Sequence, residues 1–206
     1  MSKPDYWDEA CAALSVSDPV MAQLILTYPD LHLVSRGNAL MTLARSIVGQ
    51  QISVKAASSV WAKLETCLGE VNAESILQRS PAELRACGLS ERKVLYLKDL
   101  AQFAAEGRLQ VESWHEQAEE AVIAELVSIK GIGRWTAEMF LMFYLQKPNV
   151  YPVDDIGIQK AVGLHYYNNI RPTPVELQAV GERWQPWRTV ASWYLWRSLD
   201  PIPVSY

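Results

Sequence analysis

Residues Leu126–Lys160 read LVSIKGIGRWTAEMFLMFYLQKPNVYPVDDIGIQK, and the order of residue types predicts the end of one helix, a tight glycine hairpin, a second helix, a proline-bearing connector and a third helix. Gly131 and Gly133 flank Ile132; glycine tolerates positive φ and lets another molecule approach the backbone closely. A hairpin so poor in side chains can turn its amides outward as a nest for phosphate, helped by the positive end of the helix that starts near Arg134. That suits a nucleic-acid backbone, with Lys130 and Arg134 alongside. Pro152 cannot continue a helix and pushes Tyr151 into extended geometry, so Asp154 and Asp155 fall at the start of IGIQKAVGLH. On residue type alone either aspartate can cap that helix and leave the other for chemistry, and both can be caps and nothing more.

Outward from this stretch, 206 residues suffice for one domain or for two small lobes. Half are hydrophobic and a fifth charged, the balance of a packed globular protein. No apolar run approaches the ~20 residues of a spanning helix, and MSKPDYWDEA does not read as a signal peptide. An intracellular, cytoplasmic protein without a membrane role is expected. Cys11, Cys67 and Cys87 are scattered and odd in number, which predicts free thiols and neither a disulfide framework nor an iron–sulfur cluster.

A net charge of −4 argues against a protein that coats nucleic acid, so any such face must be local. Arg36, Arg45, Lys55, Lys130, Arg134 and Lys160 lie around the glycine-bearing turns, whereas acidic residues gather in YWDEA and HEQAEEA. The apolar spacing is helical almost throughout. Caps are expected at Asp18 (followed by Pro19), Ser53, Asn72, Ser80 (followed by Pro81), Ser90 and Thr173 (followed by Pro174). No stretch alternates as a strand would. The fold class is all-α, with about ten short helices.

Four pieces occur in an order that is specific together, although a glycine hairpin alone is not: SIVGQQISVKAA (46–57), LVSIKGIGRWTA, PVDDIGIQ and the tryptophan-rich RWQPWRTVASWYLWR (183–197). In these the chain resembles the helix-hairpin-helix DNA glycosylases, most closely the 3-methyladenine DNA glycosylase II type, from about Leu40 to the C-terminus. The resemblance implies two helical lobes with a DNA-binding cleft: residues 38–147, ending in the hairpin, and residues 1–37 with 148–206, carrying the catalytic aspartate. With so few residues before the first piece, a short form without the N-terminal β domain that some relatives carry is expected.

The resemblance also assigns residues. Its pattern around the aspartate fits D-I-G-I from Asp155, which makes Asp155 catalytic and Asp154 the capping neighbour. Cleaving an N-glycosidic bond develops positive charge on the sugar, which a nearby carboxylate stabilises. Gln51 matches the residue pushed into the gap when the target nucleotide leaves the stack; from the residues alone it is a polar turn. Trp135 and Trp196 match the base pocket, with Met139 a turn beyond Trp135, and an indole face attracts a cationic purine by about 0.5–2 kcal/mol. Other tryptophans, including Trp184, Trp187 and Trp193, read as core. Lys130, Gly131, Gly133 and Arg134 form the DNA-backbone hairpin, and the carbonyls of Val127, Ile129 and Ile132 match positions that hold a monovalent cation. No cofactor is required. Trp135 stands where strand-cleaving relatives carry a lysine nucleophile.

The expectation is a monomeric, monofunctional glycosylase that extrudes and excises alkylated purines such as 3-methyladenine and 7-methylguanine from double-stranded DNA. The alternatives are a non-catalytic helix-hairpin-helix DNA-binding module, a glycosylase mainly for neutral lesions such as hypoxanthine or ethenoadenine, and an all-helical interaction protein with no DNA role.

Overall fold

The computed structural model describes residues 3–35 and 37–200; Arg36 lies outside them. Among the described residues every regular element is a helix. α1 (Trp7–Ser17) and α2 (Pro19–Thr27) precede α3 (Ala39–Gly49) and α4 (Val54–Leu68). Two short helices, α5 (Ala73–Gln78) and α6 (Pro81–Ala86), lead to the long α7 (Glu91–Ala105). A single turn, α8 (Val111–Trp114), comes before α9 (Glu119–Val127) and α10 (Arg134–Phe143), the two helices that flank the glycine hairpin. α11 (Ile156–Tyr166), α12 (Pro174–Glu182) and α13 (Arg188–Leu199) follow.

All six expected caps form, each side chain accepting from an amide of the helix it opens: Asp18, Ser53, Asn72, Ser80, Ser90 and Thr173. Such a bond meets one of the four amide donors that every helix start leaves without an internal partner. α1 and α8, absent from the sequence reading, have no side-chain cap, which removes the local signal that marks a helix start.

The chain divides into two compact units: the residues up to Ser35 with those from Leu141 onward, and the residues between them up to Phe140. The division falls within α10, ahead of the expected boundary at 147. In the first unit α1, α2, α11 and α13 pack together around Trp7, Leu14, Met21, Ile158, Trp184 and Leu195. Trp184 and Trp193 are core as expected, and Trp187 is partly buried against Tyr6. Trp7 meets Trp193 edge-on at 5.3 Å between centroids. In the second unit α7 packs on α3, α5 and α6, burying Leu43, Ile47, Ile76, Leu84, Val94, Leu97 and Leu100.

Two features of the first unit place the third helix of the opening stretch. The connector before it is tied to α13, where the Thr189 hydroxyl donates to the Lys147 carbonyl and accepts from the Val150 amide at 3.0 Å. Behind it sits Asp18, 2% exposed. One of its oxygens caps α2 through the amides of Val20 (2.9 Å) and Met21 (3.2 Å), and the other accepts from the Tyr166 hydroxyl (2.9 Å) and the Trp184 indole (3.1 Å). Burial first, and then the neighbouring Asp18 carboxylate, push the Tyr166 phenol well above its ordinary value and keep it a donor. Asp18→Ala removes the cap and strands two buried donors, so it should cost on the order of 3 kcal/mol. Asp154→Ala, at an exposed position, should stay within about 0.5 kcal/mol. Urea unfolding followed by tryptophan fluorescence measures both.

Candidate active site

In the second unit, α9 ends at Val127 and α10 begins at Arg134, so the hairpin is six residues of irregular backbone. Its two glycines have different causes. Gly131 has φ +83°, and a Cβ there would stand 2.3 Å from the ring of Tyr96 on α7. Only glycine satisfies both the left-handed backbone and that packing. Gly133 has a negative-side φ, and a Cβ on it would meet nothing within 4 Å. Nothing inside the unit demands a glycine there.

The hairpin amides are only partly turned outward. The Lys130 amide donates to Asp99 of α7 at 2.8 Å and the Ile132 amide to the Ile129 carbonyl at 3.0 Å. The cations beside it are also engaged. Lys130 Nζ lies 3.1 Å from Asp99, Arg134 pairs with both Glu120 and Glu138, and Arg45 pairs with Glu65 while lying over the Trp61 ring. Burial raises the Asp99 pKa, but the hydrogen bonds and charge of Lys130 outweigh it and leave the carboxyl below its ordinary value. The hydrogen bonds that Arg134 donates to Glu120 come first among the causes that push its pKa upward. Lys55 and Lys160 are exposed.

The VGQQIS loop leans on the hairpin through a residue the sequence reading passed over: Gln50 donates its side-chain amide to the Gly131 carbonyl at 2.7 Å. The next residue, Gln51, is exposed and has φ +58°. Gln50 (φ −54°, ψ 129°) and Gln51 are the central pair of a type II turn closed by the Ile52 amide on the Gly49 carbonyl at 3.4 Å. Lys93 of α7 holds this turn, its ammonium donating to the carbonyls of Val48 and Gln50, both at 2.7 Å. Burial lowers the Lys93 pKa. One signal could have found it: Lys93 is the third residue of α7, where a cation opposes the helix dipole and so calls for a partner elsewhere.

Trp135 and Met139 lie on α10; Trp135 is 41% exposed and Met139 4%. Trp196 lies on α13 in the first unit, where it stacks on Phe143 at 5.9 Å between centroids. Its indole N–H donates to Asp155 Oδ1 at 2.9 Å. The same oxygen accepts from the Ile158 amide at 2.8 Å, so Asp155 itself caps α11. The expectation that Asp154 is the cap is corrected, because Asp155 is the residue whose extended backbone precedes the first helical turn. Gly157 makes room for this pair: a Cβ on it would stand 3.0 Å from Asp155 Oδ1 and 3.1 Å from the Trp196 ring.

Among the described residues no group of three or more His, Cys, Asp or Glu could hold a metal ion. Cys11, Cys67 and Cys87 are free thiols. None of the described helices is long and apolar enough to cross a membrane.

Residues 44–186 match the HhH-GPD superfamily of base excision DNA repair proteins. The solved structure of a DNA-3-methyladenine glycosidase from Bacillus halodurans is similar with a TM-score of 0.87 at 33% identity, covering 93% of this chain and 89% of that one. A Schizosaccharomyces pombe 3-methyladenine DNA glycosylase, solved in complex with abasic DNA, is similar with a TM-score of 0.77 at 30% identity, covering 95% of this chain and all of that one. A Bacillus subtilis (strain 168) relative carrying the DNA-3-methyladenine glycosylase name is 31% identical over 166 residues, which are 77% of this chain and 58% of the relative, so the chain spans little more than half of that protein. By its matched residues and its fold, the chain belongs to the HhH-GPD superfamily of base excision DNA repair proteins.

Proposed function

We propose that this protein is a monofunctional DNA glycosylase that excises alkylated purines, 3-methyladenine and 7-methylguanine, from double-stranded DNA in base excision repair. The observation that carries the reading is Asp155, whose carboxylate is held by the Trp196 indole and the first turn of α11. A carboxylate fixed in this way stabilises the positive charge that develops on the sugar as the glycosidic bond breaks, and it can orient the attacking water. The relatives named for 3-methyladenine support the substrate class.

The hairpin grips the DNA backbone through main-chain amides at Gly133 and the start of α10 more than through side-chain charge, since Lys130 and Arg134 are already paired with carboxylates. Gln51 fills the gap left by the extruded nucleotide. Trp135, with its indole partly exposed, meets the cationic base, and Trp196 serves Asp155 as well as the base. The carbonyls of Val127, Ile129 and Ile132 follow the C-terminal end of α9, whose dipole favours a monovalent cation, and the Ile129 carbonyl keeps one lone pair beyond its bond to Ile132. Such an ion would brace the hairpin against a phosphate.

Methylated DNA incubated with the protein should release 3-methyladenine and 7-methylguanine, identified by chromatography. Asp155→Asn keeps an acceptor for the cap but loses the charge, so its excision rate should fall at least about a hundredfold with DNA affinity largely kept. A severe loss in Asp154→Asn and not in Asp155→Asn would move the catalytic role to the neighbouring residue. Gly133→Ala should weaken binding to duplex DNA about tenfold with the unfolding midpoint unchanged, because a methyl there obstructs only an approaching backbone. Gly131→Ala should lower the midpoint itself, through the Tyr96 clash.

A purine alkylated at these nitrogens is cationic and its glycosidic bond is already labile, so a site without a general acid suffices. Trp135, Met139 and Trp196 supply no useful proton at neutral pH. Single-turnover rates on defined duplexes should be higher for the methylated cations than for hypoxanthine. Borohydride should trap no covalent adduct; a trapped adduct would mean an amine nucleophile and a strand-cleaving enzyme.

A further inference from the structure

The turn that presents Gln51 is a strained one. Position i+2 of a type II turn demands φ near that of Gln51 and is ordinarily glycine. Rotating the peptide between Gln50 and Gln51 through about half a turn would convert it to type I and return Gln51 to negative φ. It would also swing the Gln50 carbonyl to the opposite side of the turn. That carbonyl is the one Lys93 holds at 2.7 Å, and the Gln50 side chain holds the hairpin at Gly131 O, also at 2.7 Å.

We propose that Lys93 is a positioning residue for nucleotide extrusion: by fixing the Gln50 carbonyl it selects the type II turn and keeps Gln51 aimed outward, and through Gln50 it locks that aim to the phosphate-binding hairpin. The inference rests on the glycosylase reading, with Gln51 as the inserted residue. The fold supplies an internal control for a merely structural role. Lys98, five residues further along α7, grips two carbonyls at the end of α5, those of Leu77 (2.8 Å) and Arg79 (2.5 Å), with no strained residue there. Both lysines close a helix end; only Lys93 closes one that continues into Gln51.

The test compares Lys93→Met, Lys93→Arg and Lys98→Met in the full chain. Thermal midpoints register the lost helix-end bonds and should fall for both methionine variants. Excision of 7-methylguanine from a paired site should slow about tenfold in Lys93→Met, the equivalent of ~1.4 kcal/mol in barrier. Excision from the same base in an unpaired bulge should change less than about twofold, and Lys98→Met should show no such split. Lys93→Arg, which keeps two donors, should recover most of the paired-site rate. On a Gln51→Ala background Lys93→Met should add little, since both changes remove one device. Equal slowing on paired and bulged substrates, or full additivity with Gln51→Ala, would overturn the proposal. A second readout separates it from the parent reading: 2-aminopurine beside an abasic-site analogue should brighten with the wild-type protein and much less with Lys93→Met. That contrast without release of any alkylated base would sink the glycosylase reading and leave the clamp standing, and brightening equal in both proteins would sink the clamp.

Discussion

A helix that stops inside a protein leaves carbonyls that must find donors, and in the unit that carries the hairpin the ends of α3 and α5 take side-chain donors from one helix. α7 sends Lys93 to the end of α3 and Lys98 to the end of α5, while Asp99 receives the Lys130 amide and Tyr96 packs beneath Gly131. Three irregular segments are thus referenced to a single rigid rod. The loop that carries Gln51 and the hairpin gain fixed spacing from this, because each is attached to the same element by short bonds.

What the sequence revealed and what it hid divide along the range of the interaction. Asp18, Ser53, Ser80 and Thr173 were legible as caps because a cap joins residues two or three apart, so the signal lies within one short window. α1, α8, α9 and α13 open without such a bond, so their starts carry no cap signal. The Gln50 bond to Gly131 spans 81 positions and the Lys93 bond to Val48 spans 45, distances at which residue type does not identify the partner. The two glycines of the hairpin look equivalent in the sequence, yet one is required by Tyr96 and the other by nothing in its own unit. A glycine without an internal cause is the sharper pointer to an external partner.

With a net charge of −4, any attraction for a polyanion must be local, and the cations nearest the hairpin are already paired with carboxylates. A guanidinium committed to Glu120 and Glu138 has its charge already met and would release fewer counterions from a phosphate than a free one.

The aspartate shows the same economy of parts. Two donors, the Ile158 amide and the Trp196 indole, meet on Asp155 Oδ1 from different directions. A carboxylate is planar, so fixing one oxygen by two bonds also fixes where the other points. The bond that starts α11 is therefore one of the two that orient this carboxylate, so capping the helix is compatible with the chemical role proposed for Asp155. The D-I-G spacing then has a physical cause: a side chain at Gly157 would occupy the space where the indole edge and Oδ1 meet, so the glycine two residues after the aspartate is what allows Trp196 to reach it.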